Sequence, residues 1–269
     1  MRIGDLEITD GSAAGSWIAD RLSGSFGAVT LQVPNGYDAY VRILHPASDS
    51  EGNPVRWAYV ASSFGKVSHR RMQWYALLGM SGAEDSSGGL WTGDDPPTGE
   101  MSLEELDELC KILTAHTGGA EDCYFGLCTI QGWLDSFSTC ELRPLLRLPM
   151  GRDYIVFAGP LWAVDQISRV YTKDSKQAKR FPFRGSYGSE DVEFGDISRD
   201  VPNLIWPSDH SWFVASEVDF DSTLVGGDAK LVEAIVNSPR FEAWQMEPTD
   251  SLAADADTLN LVPSGGDTA

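Results

Sequence analysis

An alternation of apolar and acidic residues near the end of the chain constrains its fold more than any other feature. From residue 212 to residue 221 the two kinds of side chain take nearly alternate positions, which is the pattern of a β-strand with one buried and one polar face. The residues predicted to share the apolar face are Trp212, Val214, Val218 and Phe220. Gly226 and Gly227 follow and are predicted to form a turn.

Three carboxylates occupy the other face of this predicted strand. Glu217, Asp219 and Asp221 stand at every second position, so their Cα atoms would lie roughly 6.5–7 Å apart. Like charges at such a short distance from one another are solvated, bind a cation or shift their pKa values. The interpretation we favour is a solvent-facing strand edge, where charges block unwanted pairing. The alternative is a magnesium site with these three residues as ligands, partly through water.

The hexapeptide Asp219-Phe220-Asp221-Ser222-Thr223-Leu224 resembles the first motif of haloacid-dehalogenase-like phosphatases. The resemblance implies a magnesium-dependent phosphoester hydrolase. Asp219 would be the nucleophile and a metal ligand, Asp221 the acid/base, and Thr223 would order the loop. The chain departs from the family because 48 residues follow Asp221, too few for the later motifs, and the sole lysine among them is Lys230.

The charge balance narrows the class of partner. With 40 acidic against 20 basic residues, the net charge is -20. Such a surface repels nucleic acid and anionic membranes, and it favours a basic protein partner. The first 20 residues contain no apolar core of a signal peptide, and the apolar run 154–164 is too short to span a bilayer. We therefore expect a cytoplasmic protein.

The order of predicted elements indicates an α+β fold. It consists of a mixed or antiparallel sheet with packed helices in a single globular unit, because no regular β-α alternation is visible. We assign residues 1–246 to one domain and residues 247–269 to an acidic, flexible tail; a split near residues 95–101 is the alternative. The predicted strands are 29–33, 37–44, 123–130, 153–158 and 241–246.

Three helices carry start signals. Ser102 and Glu105 form a capping box before an apolar stripe, which predicts a helix up to the glycine pair at 118–119. Asn53 followed by Pro54 predicts a second helix start, and residues 228–238 predict a third helix.

Further candidate binding residues lie just before the acidic strand. Trp206, Asp209 and His210, together with Glu217, combine an aromatic ring with acidic and imidazole groups, a combination that suits a protein partner. Cys123 and Cys128, with His116 and Cys140, offer an irregular zinc spacing. Because residues 123 and 128 of a strand point to opposite faces, ordinary buried thiols are the better interpretation.

Several segments together resemble a family of uncharacterised actinobacterial proteins of similar length. These segments are the runs 40–46, 55–58 and 206–227. The family implies a cytoplasmic, single-unit protein but no activity, and the architecture is similar, at the level of fold alone, to SUKH-type immunity proteins. We therefore expect a protein-binding module of immunity or regulatory type without a cofactor; the magnesium-dependent hydrolase is the alternative.

Overall fold

A computed structural model describes residues 2–80, 90–118, 120–131, 143–167 and 201–260. These ranges contain a ten-stranded antiparallel sheet. Its strands are β1 (Arg2–Ile3), β2 (Leu6–Ile8), β3 (Ala39–Leu44), β6 (Cys123–Cys128), β7 (Leu146–Leu148), β8 (Arg152–Gly159), β9 (Leu204–Pro207), β10 (Phe213–Ala215), β11 (Ser222–Gly227) and β12 (Glu242–Met246). Their spatial order is β1-β2-β8-β6-β9-β10-β11-β3-β12, and β7 pairs with β8. A separate two-stranded sheet joins β4 (Ala47–Ser48) to β5 (Pro54–Val55).

Short helices accompany this sheet. The α-helices are α1 (Gly11–Ala14), α2 (Ser16–Ala19), α3 (Val29–Gln32), α4 (Trp57–Ser63), α5 (Trp74–Leu77), α6 (Leu103–Ala115) and α7 (Ala229–Asn237). Turns of 3₁₀ helix lie at Thr129–Gln131, Pro149–Gly151 and Leu161–Ala163. Within the described ranges, no helix has the length and apolar character needed to cross a bilayer.

Both faces of the sheet are buried, as β3 shows. Val41 and Ile43 pack into one cluster with α6 and α7, while Tyr40 packs into a second cluster with α2 and α3 on the opposite face. Leu44 joins a third cluster with α4 and α5. Successive strand residues point to opposite faces, so β3 buries every position, including the charged Arg42.

The two longest helices, α6 and α7, confirm the helices predicted after Ser102 and at residues 228–238. Ser102 Oγ accepts from the amide of Glu105 at 3.2 Å, and the Glu105 carboxylate accepts from the amide of Ser102 at 3.4 Å, which is the predicted capping box. Helix α7 begins where the Asp228 carboxylate accepts from the amide of Leu231 at 2.7 Å. The strands predicted at 37–44, 123–130, 153–158 and 241–246 are also confirmed, with shifted ends.

Two local predictions are wrong because short patterns fit two structures. Residues 29–32 form the helix α3, and the amide of the following residue, Val33, donates to the carbonyl of Val29; both valines are buried. Asn53 does not cap a helix, since its side chain binds the Asp49 carboxylate across the β4–β5 turn. Helix α4 begins three residues after Pro54.

The predicted strand 212–221 is also wrong, and this changes the position of the acidic residues. Strand β10 ends at Ala215, and the chain turns back so that β11 pairs antiparallel with it. Residues 216–221 form the hairpin loop between them, closed by a 3.0 Å bond from the amide of Phe220 to the carbonyl of Glu217. Gly226, predicted in a turn, lies in β11, where a Cβ atom would come within 2.6 Å of the Tyr37 ring.

Residues 247–260, which the sequence assigns to the tail, pack against the segment before α5. Asp257 is fully buried and accepts hydrogen bonds from His69, from the amide of Gln73 and from Asn260. The flexibility of the tail and the domain boundary at residue 246 stay predictions, and residues 261–269 lie outside the described residues.

Candidate functional site

The hairpin loop divides the predicted acidic cluster between two arginines. Arg152 Nε donates to Glu217 Oε1 at 2.9 Å, and its Nη2 contacts Glu217 Oε1 at 2.8 Å as well as Asp219 Oδ2. Asp221 instead forms a 3.2 Å ion pair with Arg42, which projects from β3. In the part of the chain that the structure describes, no group of three or more His, Cys, Asp or Glu residues is placed to hold a metal ion.

This division bears directly on the phosphatase-like motif. Asp219 is 49% exposed beside Arg152, while the Asp221 side chain leads to a different arginine on another strand. Thr223 is fully buried and hydrogen-bonds to His45 and Ser216. The arrangement of these side chains gives no support to a nucleophile and an acid/base that act on one substrate.

Arg42 is 1% exposed and nearly all its donors are used. Its Nε donates to Ser222 Oγ at 2.9 Å, and Nη1 donates to the carbonyl of Met72 at 2.8 Å. The guanidinium also lies 5.4 Å from the centre of the Trp57 ring. Burial raises the pKa of Asp221 and the neighbouring Arg42 opposes this effect, so the pair is a structural bond that holds the loop to β3.

A buried hydrogen-bond chain on the other face of the sheet involves His45. The carbonyl of Pro97 is an acceptor, so His45 Nδ1 must carry the proton of the 2.8 Å bond to it. His45 Nε2 then accepts from Thr223 Oγ1 at 2.9 Å, and Thr223 accepts in turn from Ser216 at 2.6 Å. Burial lowers the pKa of His45 to about 4, and the neutral ring therefore has a structural role at neutral pH.

Two of the other predicted binding residues, Trp206 and His210, belong to one chain of aromatic rings that passes through Phe213 and Trp17. Trp206 is fully buried between the rings of Tyr124 and Phe213, which gives no support to a groove-lining role. His210 stacks on Trp17 with 4.0 Å between ring centroids, and its φ of 57° lies in the left-handed region, which histidine adopts more readily than most residues. Asp209 is exposed and accepts from the amide of Ser211.

The cysteine prediction is partly within the described ranges. Cys110, Cys123 and Cys128 are buried free thiols, and burial raises the pKa of each. Cys140 lies outside the described residues. The described part of the chain therefore supports the interpretation of Cys123 and Cys128 as buried thiols.

A groove that the sequence did not indicate lies at the start of α6. It has about 260 Å³ accessible to the centre of a water molecule. Its other walls come from the end of β3, the start of β5, the residue before α4, the α7–β12 connection and the first residue of β12. The residues that line it are Leu44, Pro46, Pro54, Arg56, Ser102, Glu104, Glu105, Pro239, Arg240 and Glu242.

Glu242 is the notable residue of this groove. Its Oε1 accepts from the amide of Ala58 at 2.9 Å, but its Oε2 is buried without a hydrogen-bond partner in the described part of the chain. Burial raises the pKa of Glu242, and it also raises that of Glu105 across the groove. Burial disfavours the charged form of each glutamate, although the backbone N–H groups of Trp57 and Ala58 at the start of α4 lower the pKa of Glu242, and a cation in the groove would relieve the cost of burial.

The two arginines of the groove are already engaged or exposed. Arg56 Nη2 donates to the carbonyl of Pro239. Arg240 is 56% exposed and lies 3.7 Å from Glu104, itself 87% exposed, so their pairing is weak. The two arginines and three glutamates leave the groove with one net negative charge.

Two signals in the sequence pointed to parts of these sites. Arg42 interrupts an otherwise apolar strand, and a charge at such a position must be paired when the strand is buried on both faces. Glu105 belongs to the capping box. Nothing local marks Glu242 or Arg240, because the groove is assembled from four separate segments of the chain.

Comparisons with protein-family models, curated proteins and solved structures found no match for this chain.

Proposed function

We propose that this chain is a cytoplasmic binding module that captures a basic protein, as an immunity or regulatory protein does. In this proposal the sheet and helices form a single α+β unit. The groove at the start of α6 receives a lysine or arginine side chain of the partner. The observation that carries the proposal is Glu242 Oε2, a buried carboxylate oxygen in the wall of a groove that has no hydrogen-bond partner among the described residues.

The charges of the groove match such a ligand. One net negative charge remains after the two arginines are counted against the three glutamates, and a single cationic side chain neutralises it. The apolar parts of Leu44, Pro46 and Pro54 provide surface for the methylene stem of that side chain. A carboxylate that has already lost its hydration on burial gains more from a cationic partner than an exposed carboxylate does.

The whole chain supports the same partner class. A net charge of -20 attracts a basic protein at long range and accelerates association, an effect that salt screens. Recognition of this kind requires no cofactor. For the magnesium-dependent hydrolase, no observation on the described residues provides support, because Asp219 and Asp221 bind separate arginines.

The proposal is tested by calorimetric titration of the protein with a ten-residue lysine-rich peptide. The matched probe is the same peptide with acetylated lysines. We expect binding of the cationic peptide alone, with Glu242→Gln about tenfold weaker because one close charge pair contributes roughly 1.5 kcal/mol. Glu233→Gln removes the same charge from an exposed position of α7 outside the groove, and we expect less than a twofold change.

Two results would contradict the proposal. Equal weakening by the two variants would show that binding depends on diffuse surface charge and does not use the groove. Equal binding of the acetylated peptide would show that the cation is not recognised.

A further inference from the structure

A second, smaller cavity lies on the opposite side of the hairpin loop from Arg42. It is bounded by α3, by the 3₁₀ turn at Pro149–Gly151, by the starts of β8 and β9 and by the end of β10. Its interior offers about 20 Å³ to the centre of a water molecule. Because about 10–15 Å³ is enough for one water, the cavity admits a small functional group but no complete metabolite.

Gln32 supplies the polar part of this cavity. The side chain is 8% exposed, and both its amide nitrogen and its amide oxygen are buried without a hydrogen-bond partner in the described part of the chain. A carboxamide has two donors and an acceptor with two lone pairs. Buried amides are normally paired, so a fully unpaired one beside a cavity indicates a group that the cavity takes up.

Arg152 and Glu217 line the same cavity. The contacts of Arg152 with Glu217 and Asp219 use Nε and Nη2, and its Nη1 makes no hydrogen bond with the described residues. Glu217 is 9% exposed and both of its short contacts go to Arg152. The remainder of the wall consists of Tyr154 and of apolar residues such as Leu22, Leu31 and Leu204.

We infer that this cavity binds a neutral primary amide group, carried by a small molecule or by an asparagine or glutamine side chain of a partner. The amide pairs with Gln32 in two antiparallel hydrogen bonds, N–H to Oε1 and Nε2–H to the carbonyl oxygen. Arg152 Nη1 supplies a further donor to that oxygen. No charge is added to the cavity in this arrangement.

Charged ligands fit this cavity less well. An anion would meet Glu217 and Asp219, which together carry one more charge than Arg152 neutralises. A cation would meet the unused N–H groups of Arg152 and Gln32, which are donors like itself. A single water satisfies at most part of the Gln32 amide, whereas a second amide matches its donor and its acceptor at once.

The test is a titration followed by nuclear magnetic resonance, observing the side-chain Nε2–H signals of Gln32, assigned by their loss in Gln32→Leu. The probes are propionamide, propionate and propionamidinium, which share one planar shape and differ in charge. We expect saturable shifts with propionamide alone, with a dissociation constant on the order of 10 mM for a ligand of this size. N-acetylglutamine methylamide distinguishes the sources, since tighter binding than propionamide indicates a peptide ligand.

Variants then separate recognition from packing. Gln32→Leu fills the same space without polar atoms, and propionamide affinity, followed by the Arg152 side-chain signals, should fall about tenfold or more. Gln32→Glu keeps the shape but loses the donor, and it should reverse the preference in favour of propionamidinium.

The selectivity of the unaltered protein decides the inference even if a variant does not fold. Equal shifts with all three probes, or no shift up to about 100 mM propionamide, ten times the expected dissociation constant, would overturn it. An unchanged affinity in folded Gln32→Leu would overturn it as well. Peptide capture in the α6 groove uses other residues, so either proposal can fail while the other stands.

Discussion

Arg42 and Arg152 bind carboxylates of the same six-residue hairpin loop, yet their surroundings differ. Arg42 is 1% exposed, and its donors go to Asp221, to Ser222 and to backbone carbonyls before α5. Arg152 is 14% exposed, keeps Nη1 unused among the described residues, and lies beside a cavity. One arginine closes a structural bond, and the other leaves hydrogen-bonding capacity for a ligand.

The surroundings of an ion pair therefore decide whether its arginine has donors left for a ligand. The two pairs share one loop and the same residue types. The Arg42–Asp221 pair, in which nearly all arginine donors are used, holds the loop against β3. Arg152 instead lines a cavity with Gln32, whose side-chain amide has no hydrogen-bond partner among the described residues. Four measurements test this difference, beginning with the largest expected effect.

Replacing Arg42 by methionine should lower the free energy of unfolding by about 3–5 kcal/mol. Methionine is an apolar side chain of similar length, and it leaves Asp221, Ser222 and two backbone carbonyls without their donor. Urea denaturation measures the loss. The double variant with Asp221→Asn should recover part of it, because no unpaired charge remains; a loss below about 1 kcal/mol in the single variant would show that the pair is not structural.

The second effect is a loss of stability in acid through His45, whose backbone amide donates to the carbonyl of Asp221. Its pKa falls from 6.5 in the unfolded chain to about 4 in the folded protein. The unfolded chain therefore takes up a proton first, and stability present above pH 6.5 is lost as the pH falls through the window to about 4. This shift corresponds to about 3 kcal/mol.

Urea denaturation between pH 7 and pH 4 measures this contribution by comparison with His45→Leu. The variant should be less stable at pH 7, because Thr223 and the carbonyl of Pro97 lose a partner, but its stability should fall less steeply in acid. Parallel pH profiles for the two proteins would rule out titration of His45 as the cause.

Arg152→Gln should have a smaller effect, about 1–2 kcal/mol, because Asp219 is 49% exposed and only Glu217 becomes a nearly buried, unpaired carboxylate. Arg147 is the matched control, since it is 80% exposed and lies 3.7 Å from Asp153. Thermal unfolding of Arg147→Gln should show less than about 0.5 kcal/mol. If Arg152→Gln equals Arg42→Met in effect, the contrast between the two arginines is lost.

Glu242→Gln extends the comparison to a buried carboxylate that forms no ion pair with an arginine in the described part of the chain. The substitution should raise the free energy of unfolding at pH 7 by about 0.5–1 kcal/mol. Burial raises the pKa of Glu242, so the folded protein binds the proton more tightly than the unfolded chain. Its stability is thus highest at low pH and falls as the pH rises through that raised pKa. The glutamine variant should lack this part of the pH dependence, and a lower stability at pH 7 would contradict the assignment.

The predictions from the sequence succeeded where the signal was local and redundant. The capping box at Ser102 comes with an apolar stripe through α6, so two signals agree there, and the apolar positions of residues 228–238 predicted α7. They failed at residues 29–33 and 212–221, where a short alternation fits a strand, one helix turn or the two sides of a hairpin. Periodicity over five to ten residues does not distinguish these structures.

The sequence by itself determined the anionic charge, four of the strands and the helices α6 and α7, because composition, alternation and capping act over a few neighbouring residues. Only the tertiary structure decided which charge meets which. Asp219 and Asp221 are two residues apart, but they bind arginines on strands 110 residues apart in the chain. The groove at Glu242 and the cavity at Gln32 likewise exist only once distant segments pack, because the depth at which a polar atom is buried depends on the packing of the whole chain.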